Sequence, residues 1–177
     1  PATVQSAISR MGRVVSQPGQ EAVNRAYQRI SVISDVSYVA DGMRGPDVEE
    51  VKAQSGLSPH GSLLYSFFMS KPCMTIVGRH GRPIGMWGVV PDGSTAGRIW
   101  MLGRSEMLTD VADKWEFLRQ SRIHLANLQD KYPVLFNFVD ARNTVHLRWL
   151  RWMGFTFINR HDNFGPEQRT FYEFVRI

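Results

Sequence analysis

The strongest structural signal in the chain is N-T-V-H-L-R-W-L-R-W-M-G-F, which runs from Asn143 to Phe155. Asparagine is a favoured N-cap, so Asn143 predicts the start of a helix that continues to Trp152. Gly154 suits the left-handed backbone conformation that follows many helix C-termini, and Phe155 then begins an apolar strand. The stretch therefore predicts a helix, a glycine stop and a strand that returns to a sheet.

The segments before this stretch alternate between extended and helical patterns. Val134 to Val139 is apolar and predicts a strand, and Thr109 to Lys131 has one apolar side, which predicts a long helix capped by Thr109. Three further strands are predicted at Met74 to Arg79, Pro83 to Val90 and Arg98 to Leu102. Short turns separate them, so we expect an antiparallel meander. The strand after the long helix is expected to return parallel through a crossover.

The two ends of this pattern complete the predicted fold. Ser31 to Met43 alternates apolar and polar residues, which predicts a first strand, and helices are predicted at Pro46 to Gly56 and Ser58 to Phe68. Phe155 to Ile158 and Phe171 to Val175 predict a last pair of strands. The order β-α-α-β-β-β-α-β-α-β-β indicates an α/β (α+β) domain with a mixed central sheet of about six to seven strands flanked by helices.

The composition is that of a globular protein. The chain has 177 residues, of which 43% are hydrophobic and 21% are charged, and this excludes a disordered tail or a coiled coil. The single cysteine, Cys73, cannot form an internal disulfide, and no Cys/His cluster has the spacing of a zinc site, so no metal is expected. No apolar run of about 18 residues and no signal-peptide pattern are present, which predicts a soluble protein without a membrane span.

The first thirty residues differ from the rest of the chain. Two short apolar stripes separated by Pro18-Gly19 predict an N-terminal helical arm over residues 1–30, followed by one domain over residues 31–177. Four arginines and one glutamate give this arm +3 of the chain's net charge of +5. The arm either packs on its own domain or docks on a partner, because helices this short are marginal without a surface to pack on.

The stretch from Asn143 to Phe155 resembles the fourth helix and following strand of the GCN5-related N-acetyltransferase (GNAT) superfamily. In that superfamily an Asn opens the helix, apolar residues face the sheet, and Gly-Phe starts the next strand. The predicted element order of residues 31–177 is also similar. The resemblance implies a GNAT-like fold and, for an active enzyme, transfer of an acetyl group from acetyl-CoA.

A closer resemblance is to short GNAT-like proteins of tailed bacteriophages, including those of the internal virion protein A type. The similar segments cover most of the chain beyond residue 30. They are E-V-K-A-Q-S-G-L-S-P at Glu50 to Pro59, P-I-G-M-W-G-V-V-P at Pro83 to Pro91, I-W-M-L-G at Ile99 to Gly103, and F-V-D-A-R-N-T at Phe138 to Thr144. This resemblance implies a phage origin and a place in the virion or in its assembly, rather than a known reaction.

GNAT enzymes hold the pyrophosphate of acetyl-CoA on backbone N–H groups at the start of a long helix, where glycines allow a close approach. The resemblance places Leu102, Arg104, Asp110 and Asn143 at the positions that would hold this cofactor. The family pattern Arg/Gln-x-x-Gly-x-Gly/Ala is not kept, because no Gly follows Arg104 at the required spacing, and two acids, Glu106 and Asp110, occupy the loop instead. A carboxylate repels a phosphate, so no cofactor is expected unless the chain is an active enzyme that takes acetyl-CoA.

Three residues are candidates for catalysis, namely Glu106, His146 and Asp140. Glu106 and Asp140 are candidates for the general base by position, and histidine side chains titrate in the range that suits acid–base work. Each has a structural alternative: loop solvation for Glu106, a turn paired with Arg142 or a helix cap for Asp140, and a partly exposed helix position for His146. Leu150 lies where many GNAT enzymes have a Tyr that acts as general acid, and leucine has no proton to donate.

These features support three hypotheses. The first is a bacteriophage virion-associated or assembly protein in an oligomeric assembly, contacting other phage virion proteins through residues 1–30. The second is an active acetyl-CoA-dependent N-acetyltransferase that modifies a host or phage protein. The third is contact with DNA or another acidic surface through the arm and Arg142, Arg148 and Arg151. The protein is expected in the virion or in the host cytoplasm.

Overall fold

The structure is a computed structural model that describes residues 27–177. Seven strands lie in this range: β1 (Gln28–Ile30), β2 (Cys73–Val77), β3 (Pro83–Asp92), β4 (Ala96–Gly103), β5 (Val134–Asp140), β6 (Thr156–Phe164) and β7 (Arg169–Arg176). Six helices accompany them: α1 (Ile33–Asp41), α2 (Gly45–Ser55), α3 (Pro59–Met69), α4 (Glu106–Thr109), α5 (Val111–Gln129) and α6 (Thr144–Trp152). None of the helices in residues 27–177 is both long and apolar enough to cross a membrane.

All seven strands belong to one mixed sheet. Their order is β1-β2-β3-β4-β5-β7-β6, and every neighbouring pair is antiparallel except β4 and β5, which are parallel. This confirms the mixed α/β (α+β) sheet of about six to seven strands, and it confirms the parallel return after the long helix α5. The antiparallel meander β2-β3-β4 is also confirmed.

Helices cover both faces of the sheet. Successive residues of a strand point to opposite faces, so two residues of β3 that lie three positions apart, Met86 and Val89, mark the two layers. Met86 packs with buried residues of α1, α2 and α3, such as Val39 and Leu63. Val89 packs with buried residues of α5 and α6, such as Leu125 and Leu150. The two hydrophobic layers meet the sheet from opposite sides.

The strands β4 and β5 are hydrogen-bonded along only part of their length. Ala96, Gly97 and Arg98 pair with residues 134–136. The next link is a side chain, because Asn137 Nδ2 donates to the carbonyl oxygen of Ile99 at 2.8 Å. Beyond it the main-chain ladder ends, and the two strands border an opening in the sheet.

The predicted strand at Ser31 to Met43 is wrong, because this segment forms α1. Val36, Val39 and Met43 are all buried and lie three and four residues apart, which is helical spacing. Asp35 also stabilises the first turn, since its carboxylate accepts the backbone N–H of Val32 at 3.0 Å. The alternation of polar and apolar residues is compatible with a strand, but the residues that are actually buried are spaced as on one side of a helix.

Two other predictions need correction at their boundaries. The long helix α5 is capped by Asp110 rather than Thr109, which ends the short helix α4. The residues Gln28–Ile30 form a strand that pairs with β2, so the sheet begins inside the segment assigned to the helical arm. Residues 1–26 of that arm lie outside the described residues. The division into an arm and a domain therefore stays a prediction.

The short helix α4 was not predicted. The other predicted helices and strands are confirmed, with bounds that shift by up to about six residues. The stretch that gave the strongest signal behaves as predicted. The Asn143 side chain caps α6 by accepting the backbone N–H of His146 at 3.4 Å. Gly154 has φ of 85°, which is the left-handed conformation expected after the helix.

A buried network of polar groups fixes α2 against the sheet and α6. The carboxylate of Asp47 accepts two hydrogen bonds from the Arg44 guanidinium, at 3.0 and 2.5 Å, and one from the Gly103 backbone N–H at 3.1 Å. Asn143 Nδ2 lies 3.4 Å from the same carboxylate and 3.0 Å from Glu50 Oε2. Buried charges are tolerated when they are paired in this way.

We expect Asp47→Ala to destabilise the fold strongly, because it leaves the buried Arg44 without its partner. Breaking a buried ion pair costs about 3–5 kcal/mol, which corresponds to a melting temperature lower by roughly 6–20 °C. The matched control is Glu49→Gln on the same helix, where an exposed ion pair with Arg142 spans 3.6 Å and is worth about 1 kcal/mol or less. Equal thermal unfolding of the two variants would contradict the role of the network.

Candidate functional site

A cavity of about 560 Å³ lies where β4 and β5 diverge. Its walls come from both faces of the sheet and include Glu50 and Tyr65 on one side, Ile99 and Asn137 at the opening, and Phe117 and Trp149 on the other side. Most of these walls are apolar or aromatic. A mainly apolar cavity with a few polar groups is typical of a small-molecule site.

One polar wall of the cavity is formed by Glu50 and His146. Glu50 Oε1 lies 3.7 Å from His146 Nδ1, too far for a hydrogen bond, and the two side chains are only 9% and 11% exposed. Glu50 Oε2 accepts from Asn143 Nδ2 at 3.0 Å and from the Asp140 backbone N–H at 3.3 Å. These bonds orient the carboxylate, and its second oxygen is left facing the imidazole.

A second polar wall lies under α5. Trp87 Nε1 donates to Gln28 Oε1 at 3.0 Å, which leaves the amide nitrogen of Gln28 facing His124 Nδ1 at 2.9 Å. Since the amide nitrogen is a donor, Nδ1 of His124 accepts and its proton lies on Nε2. Burial lowers the pKa of His124, which favours this neutral form.

Four buried side-chain atoms in residues 27–177 have no hydrogen-bond partner, and all four belong to residues that line the cavity. They are Tyr27 Oη, His124 Nε2, His146 Nδ1 and Trp149 Nε1. Burial, together with the acids Glu116 and Asp113, raises the pKa of Tyr27, so its hydroxyl keeps its proton. An unpaired buried polar group costs about 1–3 kcal/mol. Because all four unpaired atoms belong to residues around one cavity, we take this cavity as the candidate site of the described domain.

The start of α5 has a different character. Asp110 Oδ1 accepts the backbone N–H groups of Ala112 and Asp113 at 3.0 and 3.1 Å, and Asp110 Oδ2 pairs with the Arg79 guanidinium at 2.6 Å. The backbone N–H of Asp113 is the main cause of the lowered pKa of Asp110. The backbone N–H groups of residues 107–110 donate to carbonyl oxygens of residues 104–106. These backbone N–H groups are therefore already occupied by acceptors of the protein itself.

Arg104 and Glu106 form an ion pair beside this helix start, with Arg104 Nη2 at 3.0 Å from Glu106 Oε1. The Arg104 guanidinium also donates to the carbonyl oxygen of Tyr38 and lies over the Tyr38 ring at 4.5 Å. The pKa of Glu106 is lowered by its own backbone N–H and by Arg104. Both side chains are therefore committed to structural contacts, and Glu106 is a weak base.

The structure divides the predicted site residues into two groups. Asp140, Asn143 and His146 lie together with Glu50 near the cavity. Arg104, Glu106 and Asp110 border a separate pocket at the start of α4 and α5. Leu102 is a buried core residue that also borders the cavity.

Asp140 takes the structural role that was its alternative. Its buried carboxylate accepts from Arg142 Nε at 3.0 and 3.1 Å and from Arg142 Nη2 at 2.6 Å. It also accepts the Arg142 backbone N–H at 2.8 Å, which closes the turn before α6. This carboxylate is fully used in positioning the turn.

Sequence reasoning missed Glu50, Tyr27, Gln28 and His124. Glu50 carries a readable signal, since Asp47, Glu50 and Val51 share one side of a helix and Val51 is buried. An acid on the buried side of a helix marks a polar site. Gln28 and His124 carry no such signal, because they meet only in the folded chain.

Residues 85–162 match a family model described as Bacteriophage T7, probable scaffold protein Gp13. The comparison with curated proteins gives no match. Among solved structures, an acetyltransferase of the GNAT family from Bacillus anthracis is similar with a TM-score of 0.61 at 9% identity, over 85% of this chain and 93% of that chain.

Two other solved structures support the same fold. Spermidine N-acetyltransferase from Vibrio cholerae, in complex with CoA and spermine, has a TM-score of 0.62 at 8% identity, over 84% of this chain and 93% of that chain. Ribosomal-protein-alanine N-acetyltransferase from Brucella melitensis has a TM-score of 0.58 at 14% identity, over 86% of this chain and 99% of that chain. The chain has the GNAT fold, as the resemblance implied.

The neutral state of His124 predicts a pH dependence of stability. Below a pH of about 6.5 the unfolded chain takes up a proton at His124 that the folded chain resists, so the free energy of unfolding falls as the pH falls. We expect His124→Asn, which keeps an acceptor for Gln28, to reduce the loss between pH about 7 and about 5.5. Urea unfolding at both pH values measures the free energy of unfolding, and His80→Asn, at an exposed histidine, is the control. A wild-type pH dependence in His124→Asn would contradict the assignment.

Proposed function

We propose that this protein is a virion-associated or assembly protein of a tailed bacteriophage that uses the GNAT fold as a scaffold for protein–protein contacts. The observation that carries the proposal is the match of residues 85–162 to a phage scaffold family. Its partners are then other phage virion proteins, and it acts in the virion or in the host cytoplasm. Residues 1–30 stay a proposed contact segment.

The arrangement at the start of α5 supports a role without acetyl-CoA. The pyrophosphate of that cofactor needs free backbone N–H groups, whereas Asp110 occupies those of Ala112 and Asp113. Two carboxylates, Asp110 and Glu106, would face the phosphates, and the arginines next to them are already paired. The residues present do not fit the pyrophosphate.

The position expected for a general acid supports the same proposal. Leu150 is buried in the core between α6 and the sheet and has no titratable group. Its neighbour Trp149 has an indole N–H, which is not a practical acid in water. The helix that would supply a proton to a leaving thiolate therefore has none at this position.

A second candidate function is acetyl-CoA-dependent N-acetyl transfer, and one observation favours it. The cavity reaches the opening between β4 and β5, and it contains the carboxylate of Glu50 facing His146 at 3.7 Å. Such a pair could take a proton from an amine in a general-base role. The candidate therefore needs a direct binding test.

We expect the chain to be present in purified procapsids or mature virions of its phage. A phage that lacks the gene should assemble fewer particles, and the full-length gene supplied in trans should restore them. Mass spectrometry of both kinds of particle, with a nonstructural phage protein as contamination control, measures its presence. Absence from both particles would overturn the proposed function.

We expect acetyl-CoA at about 1 mM to leave the melting temperature unchanged. A ligand at 100 times its dissociation constant stabilises by about 2.7 kcal/mol, which would raise the melting temperature by roughly 5–11 °C. Differential scanning fluorimetry measures the shift, with free CoA, which carries the same pyrophosphate, as a second ligand and ATP as the control for general anion binding. A saturable rise with acetyl-CoA or CoA but not with ATP would favour the enzyme instead.

A further inference from the structure

We propose that the outer faces of α5 and α6 form a docking surface for an acidic segment of a partner protein, an inference that rests on the proposed assembly function. The surface lies within the region matched by the phage scaffold family, residues 85–162. It is separate from the cavity and from the pocket at the start of α5.

The outer face of α5 carries an unusual amount of exposed apolar area. Val111, Trp115 and Ile123 are 69%, 66% and 51% exposed. At 100° per residue these side chains fall within about one third of the helix circumference, together with Arg119 and Arg122. Soluble proteins rarely leave such large side chains grouped in water without a binding role.

The exposed face of α5 continues onto the neighbouring helix α6, and the two are joined by a contact between Arg122 and Trp152. The Arg122 guanidinium lies 4.1 Å from the centre of the Trp152 ring and donates to the Trp152 carbonyl oxygen at 3.0 Å. Trp152 and Val145 are themselves 42% and 43% exposed. The stacked arginine joins the two helices into one surface with two tryptophans on it.

The surface carries a net positive charge, because only one of its four arginines has an ion pair within the described part of the chain. Arg119 is paired with Glu116 at 2.6 Å. By contrast Arg122, Arg148 and Arg151 have no ion pair with any residue in the range 27–177. Arg122 and Arg151 lie over aromatic rings, which holds their charges in place. Three arginines without an ion pair in that range, two of them held over aromatic rings, favour an acidic partner.

The composition favours a protein partner over a nucleic acid. Tryptophan and arginine dominate the binding energy of protein–protein interfaces, and apolar neighbours exclude water from them. Val111 and Ile123 are largely exposed and offer nothing to a phosphate backbone, which is bound through charge and hydrogen bonds. A second copy of this chain is disfavoured as well, because a two-fold interface would bring like charges together.

The test places a photo-crosslinker at the centre of the surface, as Arg119→p-benzoylphenylalanine, in the full chain during infection. After irradiation, mass spectrometry of procapsids should find cross-links to a segment of another particle protein that carries net negative charge. We expect Trp115→Ala to lower the yield by about 30-fold, as for a hot-spot residue, and Arg122→Glu to lower it at least tenfold. The yield should also fall as salt rises from about 0.05 M to about 0.5 M.

Lys114→Ala is the matched control, because Lys114 is exposed next to Trp115 but lies about 100° around the helix from it, outside this face. It should keep the wild-type yield, and all variants should keep the wild-type melting temperature. Cross-links to nucleic acid, to a second copy, to residues 1–26 of the same chain or to a neutral or basic segment would overturn the proposal. So would an absence of cross-links when the chain is present in particles. If the chain is absent from particles, the proposed function is overturned instead. The docking surface is then tested by cross-linking in infected cells, where it again requires a cross-linked segment of another protein that carries net negative charge.

Discussion

The carboxylate of Asp47 joins three parts of the molecule that are distant in sequence. It accepts hydrogen bonds from the guanidinium of Arg44, which immediately precedes α2, from the backbone N–H of Gly103 at the end of β4, and from the amide of Asn143 at the start of α6. Because a buried carboxylate is costly without partners, these groups are held in one arrangement. That arrangement presents Glu50 to the cavity, one turn further along α2. The shape of the candidate site thus depends on a residue that does not line it.

Local signals predicted most of the architecture. The cap at Asn143, the stop at Gly154 and the short turns of the meander act over a few residues, so they can be read without the rest of the chain. The segment that became α1 was misread because a short amphipathic helix and a half-buried strand share several apolar positions, and only burial by α3 and the sheet decides between them. Thr109 and Asp110 are both capping residues, and the choice depended on which oxygen reaches the N–H groups of α5.

The candidate site was less readable than the fold. Asp140 was predicted with a structural alternative, the pair with Arg142, and that pair is present. The chain of hydrogen bonds from Trp87 through Gln28 to His124 joins residues 59 and 96 positions apart, so no local pattern could reveal it. The pocket at the start of α5 shows the opposite case. The missing glycines and added acids were visible in the sequence, and the structure adds that those acids are bound to their own helix and to neighbouring arginines.

The short ladder between β4 and β5 has a mechanical consequence. It divides the sheet into two antiparallel units, β1 to β4 and β5 to β7, joined along the main chain by three residue pairs. The other links across this seam are side chains, such as Tyr132 Oη to the Lys71 carbonyl oxygen at 2.5 Å and Asn143 to Glu50 at 3.0 Å. Hydrophobic packing, such as that of Val89 in β3 with Leu135 in β5, is shared by the two units as well. A wider opening of the cavity would therefore break these side-chain contacts while the antiparallel hydrogen bonds within each unit stay intact.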